Sequence, residues 1–269
     1  MDGRDFEEIE LTTEGNVATV RLNRPDRYNA LGSRIVDELG QALERVEGSE
    51  QARAIILTGA GEKAFCSGVD LRERAEMTAD ERWAHNRALN AFAERLARLQ
   101  MPTVAALNGL AFGGGLEITL ACDFRVAAEG AEFSLPEVGI GIVPGAGGTQ
   151  RLPRLIGPTK AKELILTGRR VSAESALDMG LVSKVVPRSS LMEEARSLAA
   201  EIAANSPLAL AYAKAAVDLA SETTIEQGLR YETAAIRATL SSEDYKIGLA
   251  AFAERKKPEF PPLTARRVT

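Results

Sequence analysis

Histidine and cysteine, the usual raw material of metal centres and of many nucleophilic sites, are nearly missing: one histidine and two cysteines occur in 269 residues. Metal-ligand spacing cannot be assembled from them, and His85 has no second histidine with which to form a conventional triad. The polar, helical surroundings ERWAHNRALNAFAERL predict that His85 lies on a solvated helix face. Cys66 and Cys122 stand in apolar contexts, which predicts buried thiols in a reducing, cytoplasmic setting without a disulfide framework. Phosphate-binding fingerprints are missing as well. Ile118 and Gln150 occupy the places where Gly113-Gly114-Gly115 and Gly145-Ala146-Gly147 would need a third dinucleotide glycine, and no G-x-x-x-x-G-K-[ST] occurs. Phe65 stands where the turn at Cys66-Ser67-Gly68 would need the leading glycine of a nucleophile elbow.

Long apolar runs and one-signed charge blocks are also lacking. The longest uncharged run, Leu99 to Leu116, is interrupted by Pro102, Asn108 and four glycines and closed by Glu117, so it reads as strand, turn and helix start rather than a membrane span. The acidic start MDGRDFEEIELTTEG has no apolar stretch of signal-peptide type, and the mature protein is expected to begin there. A net charge of −5 with both signs interspersed gives no polyanion-binding face, so neither nucleic acid nor membrane is an expected partner. No tandem repeat or low-complexity linker divides the chain.

What is present is a body of alternating strands and helices. VATVRLNRP, ARAIILTG and MPTVAALNG read as strands, and SRIVDELGQALERV and DERWAHNRALNAFAERLARL as helices. DFRVAAEGAEFSL reads as two short strands around a turn at Gly130, and LVSKVVP as another strand. Beyond about Ser190 the spacing is helical, with breaks expected at Pro207, Gly228 and Gly248. The fold class is therefore α/β, with a body over 1–190 carrying an all-helical part over 191–269.

Two carboxylates stand out. Glu117 follows three glycines in GLAFGGGLEITLACD, and Glu137 sits in FSLPEVGIGIVPG; burying either without a partner is costly, so each is expected to be ion-paired or used. The glycines before LEITLACD, and those of AFCSGVDLRER, let backbone approach a ligand and offer free N–H groups to negative charge. The same residues also suit a tight turn or close packing, with Asp70 capping the next turn. Together the pieces favour a site over a purely structural role.

Four motifs in order, NRPDRYNAL (23–31), AFCSGVDL (64–71), NGLAFGGGLE (108–117) and LPEVGIGIVPGAGGTQRLPRLIG (135–157), resemble the enoyl-CoA hydratase/isomerase (crotonase) family over nearly the whole chain. The resemblance implies a spiral of ββα units with a helical C-terminal trimerisation region, assembled as a homotrimer or dimer of trimers. It implies acyl-CoA thioester substrates, with coenzyme A part of the substrate and no metal or further cofactor. Carried over by position, an oxyanion hole falls on the amides of Val69 and Gly114, and the hydratase glutamates on Glu117, which would activate water, and Glu137, which would protonate the α-carbon. CoA-binding positions fall on Arg27, Ala30, Ser67, Val69, Asp70, Leu71, Arg72 and Gly114, with Lys257 near the nucleotide phosphates, a residue that in the family often comes from a neighbouring subunit. The run FCSGVDLRERAEM also looks like branched-chain methylglutaconyl-CoA hydratases, some of which bind RNA through a lysine-rich helix. Here the matching helix SRIVDELGQALERVEGSE has no lysine and five acidic residues, so no salt-sensitive RNA retention is expected. A double-bond isomerase and a non-catalytic scaffold are the other rivals, and both carboxylates together favour hydration.

Overall fold

In a computed structural model the described residues are 6–263, so the first five residues of the acidic N-terminus fall outside them. The chain opens with β1 (Ile9–Glu14) and β2 (Val17–Leu22), an antiparallel pair, followed by α1 (Ser33–Glu47), β3 (Ala54–Gly59) and β4 (Ala64–Cys66). Helices α2 (Leu71–Glu76) and α3 (Ala79–Ala97) lead to β5 (Thr103–Leu107), β6 (Leu110–Phe112) and α4 (Gly114–Leu120). Next come β7 (Phe124–Ala128), β8 (Glu132–Ser134), α5 (Gly148–Ile156), α6 (Pro158–Thr167), β9 (Val171–Ser172), α7 (Ala173–Met179) and β10 (Lys184–Val186). Four helices finish the described chain: α8 (Leu191–Ala203), α9 (Pro207–Leu219), α10 (Ile225–Leu240) and α11 (Glu243–Glu254).

The strands sort into two sheets, one of order β1-β2-β3-β5-β7-β10 and one of order β4-β6-β8-β9. Each turn of the chain gives one strand to each sheet, β3 then β4, β5 then β6, β7 then β8, which makes a spiral of ββα units. Pairing along β3-β5-β7 and along β4-β6-β8 is parallel. The two strands flanking Gly130 thus lie in different sheets and do not pair with each other. β3 and β5 read as continuous apolar runs because both their faces are covered: every residue of each is buried.

The sheets enclose a core that includes Ile55, Leu57, Phe65, Leu107, Leu116 and Phe133. On the other face of the large sheet, α8 packs its alanine stripe, Ala195, Ala199 and Ala203, against Ile56, Val104 and Val126. Small residues there let helix and sheet approach closely. α9 is tied to the body by Lys214, whose Nζ donates to Asp123 Oδ2 at 2.9 Å.

The helical C-terminal part is broken elsewhere than glycine alone suggests. Gly228 and Gly248 lie inside α10 and α11, where one glycine costs only about 1 kcal/mol. The interruptions fall at Thr224, which forms a capping box with Gln227, and at Ser242, which caps α11 through the Tyr245 amide.

Candidate active site

β4, β6 and β8 lie side by side in that spatial order, and the segments leaving their C-terminal ends converge. β4 runs into Ser67–Asp70, β6 into Gly113–Gly115, and β8 into the turn that carries Glu137. In open parallel sheets this edge is where ligands bind, because adjacent strands release their chains there in different directions.

The first two turns are held against each other by their lack of side chains. A Cβ on Gly68 would lie 2.8 Å from the Phe112 carbonyl oxygen and 3.4 Å from the Gly114 nitrogen, and one on Gly115 would lie 2.4 Å from the Cys66 oxygen. Gly113 has φ 51° and ψ −129°, a conformation open to glycine alone. Leu31 forms a parallel bridge with Val69 in which the Leu31 amide donates to Gly68 and the Asp70 amide to Leu31, at 2.8 and 3.0 Å. Residues flanking Val69 make those bonds, so its own N–H is directed away from Leu31. Gly114 is the first residue of α4, where backbone N–H groups have no intrahelical acceptor. Neither amide is used in the hydrogen bonds of these turns.

Both carboxylates are buried beside them, and neither forms an ion pair among the described residues. Glu117, 2% exposed, lies one turn into α4; its Oε1 accepts from the Ala146 and Gly148 amides at 2.8 Å each. Burial pushes its pKa up, opposed by those amides and by the Arg151 charge. The turn providing the amides is held by α3, since Asn86 and Asn90 donate to the Gly145 carbonyl at 3.3 and 3.0 Å. Arg151 braces it too, donating to the Ala146 carbonyl at 3.0 Å.

Glu137 has no such cradle. Its Oε1 lies 3.0 Å from where a Gly113 side chain would begin, and Oε2 is buried without a hydrogen-bond partner. Burial, reinforced by the Glu117 charge, pushes its pKa up to about 7. Burial raises both carboxyls, but only Glu117 is met by amides of another segment that oppose the shift, whereas Glu137 Oε2 is left without a donor.

The remaining predicted positions form two adjacent strips. Ser67 donates its amide to the Tyr28 carbonyl at 3.0 Å, which together with the Leu31–Val69 bridge runs residues 27–31 alongside 67–70. Asn29, fully buried, clamps this junction by donating to the carbonyls of Ala60 and Ala64. Arg27, Leu71 and Arg72 are exposed beside it, Ser67 is half-buried and Ala30 buried. The Asp70 side chain turns inward, accepting from the Arg72 and Glu73 amides to cap α2 and pairing with Arg24 at 3.2 Å. Arg24 also donates to the Ala30 carbonyl at 2.7 Å, so it ties the two strips together. Lys257 is not brought to them: it lies three residues before Phe260, whose carbonyl accepts from Arg53 at the start of β3, the end of the sheet away from these loops.

His85 departs from expectation. It is buried, on the face of α3 that also buries Leu89, Phe92 and Leu96, and not on a solvated face.

The chain as a whole is similar to known proteins. Residues 12–262 match the family model described as enoyl-CoA hydratase/isomerase. The chain belongs to the enoyl-CoA hydratase/isomerase family. It is 42% identical to a short-chain-enoyl-CoA hydratase of Clostridium acetobutylicum over 95% of this chain and 98% of that one. A mitochondrial enoyl-CoA hydratase of Pongo abelii is 41% identical, with 96% of this chain and 89% of the relative covered. The crystal structure of an enoyl-CoA hydratase from Bacillus anthracis superposes with a TM-score of 0.93 at 42% identity, covering 95% of this chain and 99% of the other. The spiral with its helical C-terminal region is the fold of this family. Among the described residues no helix is long and apolar enough to cross a membrane.

Proposed function

We propose that this chain is an enoyl-CoA hydratase, a hydro-lyase that adds water across the 2,3 double bond of a 2-enoyl-CoA thioester to give a 3-hydroxyacyl-CoA. The observation that carries this reading is the pair of buried carboxylates beside two free amides, Glu117 cradled by backbone N–H groups and Glu137 with an oxygen left unpartnered. The thioester oxygen takes the amides of Val69 and Gly114, which stabilise the enolate as charge moves onto it, on the order of 3 kcal/mol for each donor. Glu117 accepts a proton from water as the water oxygen bonds to C3, and Glu137 gives its proton to C2; both reset by exchange with solvent. Double-bond shift shares the enolate but needs no positioned water, and the amide cradle around Glu117 favours hydration over it.

In this reading coenzyme A is part of the substrate, it lies along 27–30 and 67–72, and no other cofactor takes part. The C-terminal helices carry self-association, as a homotrimer or a dimer of trimers in the cytoplasm. Supporting this, Val217, Ile225 and Phe252 are 72, 82 and 83% exposed, apolar surface that a second copy would cover. Lys257 then reaches a CoA phosphate from a neighbouring subunit rather than within its own chain.

Hydration of crotonyl-CoA, followed by loss of the enoyl-thioester absorbance with product identification, tests the reading. Glu117→Gln and Glu137→Gln should each lower turnover by about 10²- to 10⁴-fold with folding and CoA binding intact. Near-native turnover in both variants would sink it. Straight, branched and aromatic enoyl esters assayed together give the acyl preference.

A further inference from the structure

Buried imidazoles are normally hydrogen-bonded. His85 is only 6% exposed, yet neither Nδ1 nor Nε2 has a partner. The ring lies one helical turn before Leu89 on the same face of α3. Leu89 Cδ2 and Leu31 Cδ1 stand 3.0 and 3.4 Å from where a Gly114 side chain would begin, so these two residues wall the oxyanion turn. His85 approaches the backbone of Gly32, the next residue after Leu31, closely enough to feel its dipole but without closing a hydrogen bond of normal geometry. Its chain neighbour Asn86 reaches the turn that cradles Glu117. α3 therefore runs along the site from the oxyanion turn past the water-activating carboxylate, and the imidazole is the polar group on that wall with spare hydrogen-bonding capacity.

Two charged side chains from α2 face the ring, Glu73 and Arg74. Glu73 is engaged by Ser33, whose amide and hydroxyl donate to it at 2.9 and 2.6 Å. Arg74, half-buried, closes no ion pair and its guanidinium makes no hydrogen bond among the described residues.

We propose that His85 is a specificity-determining residue: its free N–H meets a hydrogen-bond acceptor carried on the acyl chain beyond the reacting double bond, and Arg74 adds attraction when that acceptor is a carboxylate. This rests on the hydratase reading above. A wholly apolar chain leaves the buried imidazole unpaired, and unpaired buried groups are what allow a site to reject an analogue lacking the matching atom.

The test compares kcat/KM for 2-hexenoyl-CoA, 6-hydroxy-2-hexenoyl-CoA and 5-carboxy-2-pentenoyl-CoA in the full chain and in three variants. His85→Leu should lower the polar-to-apolar ratio about tenfold for both polar esters, and His85→Gln, which keeps a donor, should restore it. Arg74→Gln should lower the ratio for the carboxylate alone. Because each ratio is internal to one variant, partial loss of folded protein cancels. An unchanged ratio in His85→Leu, with 2-hexenoyl-CoA still hydrated, overturns this proposal and leaves the hydratase reading standing. A uniform loss on all three esters in Arg74→Gln assigns that residue to the CoA portion and overturns its part. Failure of the unaltered protein to hydrate any of the esters removes both.

Discussion

Replacing Glu137 by glutamine should stabilise the protein at alkaline pH while disabling it. Burial moves the Glu137 carboxyl from its ordinary 4.5 to about 7, and its Oε2 has no donor to hold a negative charge. One pKa unit corresponds to about 1.4 kcal/mol, so ionising Glu137 in the folded state costs up to about 3.5 kcal/mol more than in the unfolded chain. Water entering the cleft beside the exposed Ile140 and Val143 screens part of this, which brings the expectation to about 2 kcal/mol. The folded state binds this proton more tightly than the unfolded one, so the contribution is neutral below the ordinary value. Stability then falls as pH rises through the window from 4.5 to about 7 and is level above it. Glutamine titrates in neither state. Urea unfolding at one fixed protomer concentration should find Glu137→Gln close to the unaltered protein at about pH 5 and about 2 kcal/mol more stable at about pH 9. A difference that does not change between those pH values, or a variant less stable at the higher one, refutes the assignment of a strained, proton-holding carboxyl.

The same shift governs rate: kcat/KM for an enoyl ester should decline above about pH 7 with the loss of one proton, and a profile flat from about pH 6 to 9 would contradict Glu137 as the acid. Gly113→Ala places a Cβ 3.0 Å from Glu137 Oε1 in a glycine-only conformation. It should cost about 1 to 3 kcal/mol in thermal or urea unfolding, and turnover should drop with it. Replacing Asn86 and Asn90 together by alanine frees the Gly145 carbonyl and loosens the cradle of Glu117. Steady-state kinetics should then find kcat lowered about tenfold with KM little altered, whereas an effect on KM alone would place these residues in substrate binding.

Much of this was legible in the sequence because breakers and charges interrupt apolar runs at the points that matter. Glu117 and Glu137 stand out as carboxylates in uncharged surroundings, and the glycines before Glu117 and after Glu137 mark the turns beside them. The donors to Glu117 were not legible as such: Ala146 and Gly148 contribute backbone amides, which leave no trace in side-chain identity. β6, only Leu110–Phe112, vanishes into the glycine run that follows it, so the division into two sheets could not be read from periodicity. His85 was misread because charged neighbours dominate its window. The buried set His85, Leu89, Phe92 and Leu96 does follow helical spacing, and counting that stripe would have placed the ring inside.

Strand order, rather than nearness along the chain, sets the row of groups in the site. β6 lies between β4 and β8, so the Gly114 amide stands between the Val69 amide on one side and the Glu137 carboxyl on the other, although Val69 precedes and Glu137 follows it by a full turn of the spiral. In the hydratase reading, a thioester oxygen held at the first two positions leaves its α-carbon facing the third, where the acid is. α4 starts from the middle strand, and its first turn carries Glu117 to the side where the 145–148 amides wait. The short β strands, the glycines that let them release their chains within van der Waals distance, and the single helical turn separating Gly114 from Glu117 are therefore one geometric requirement. Moving Glu117 by one residue along α4 would rotate its carboxylate by about 100° away from those amides, so the spacing of the glycines and the glutamate in GGGLE is what delivers the carboxylate to them.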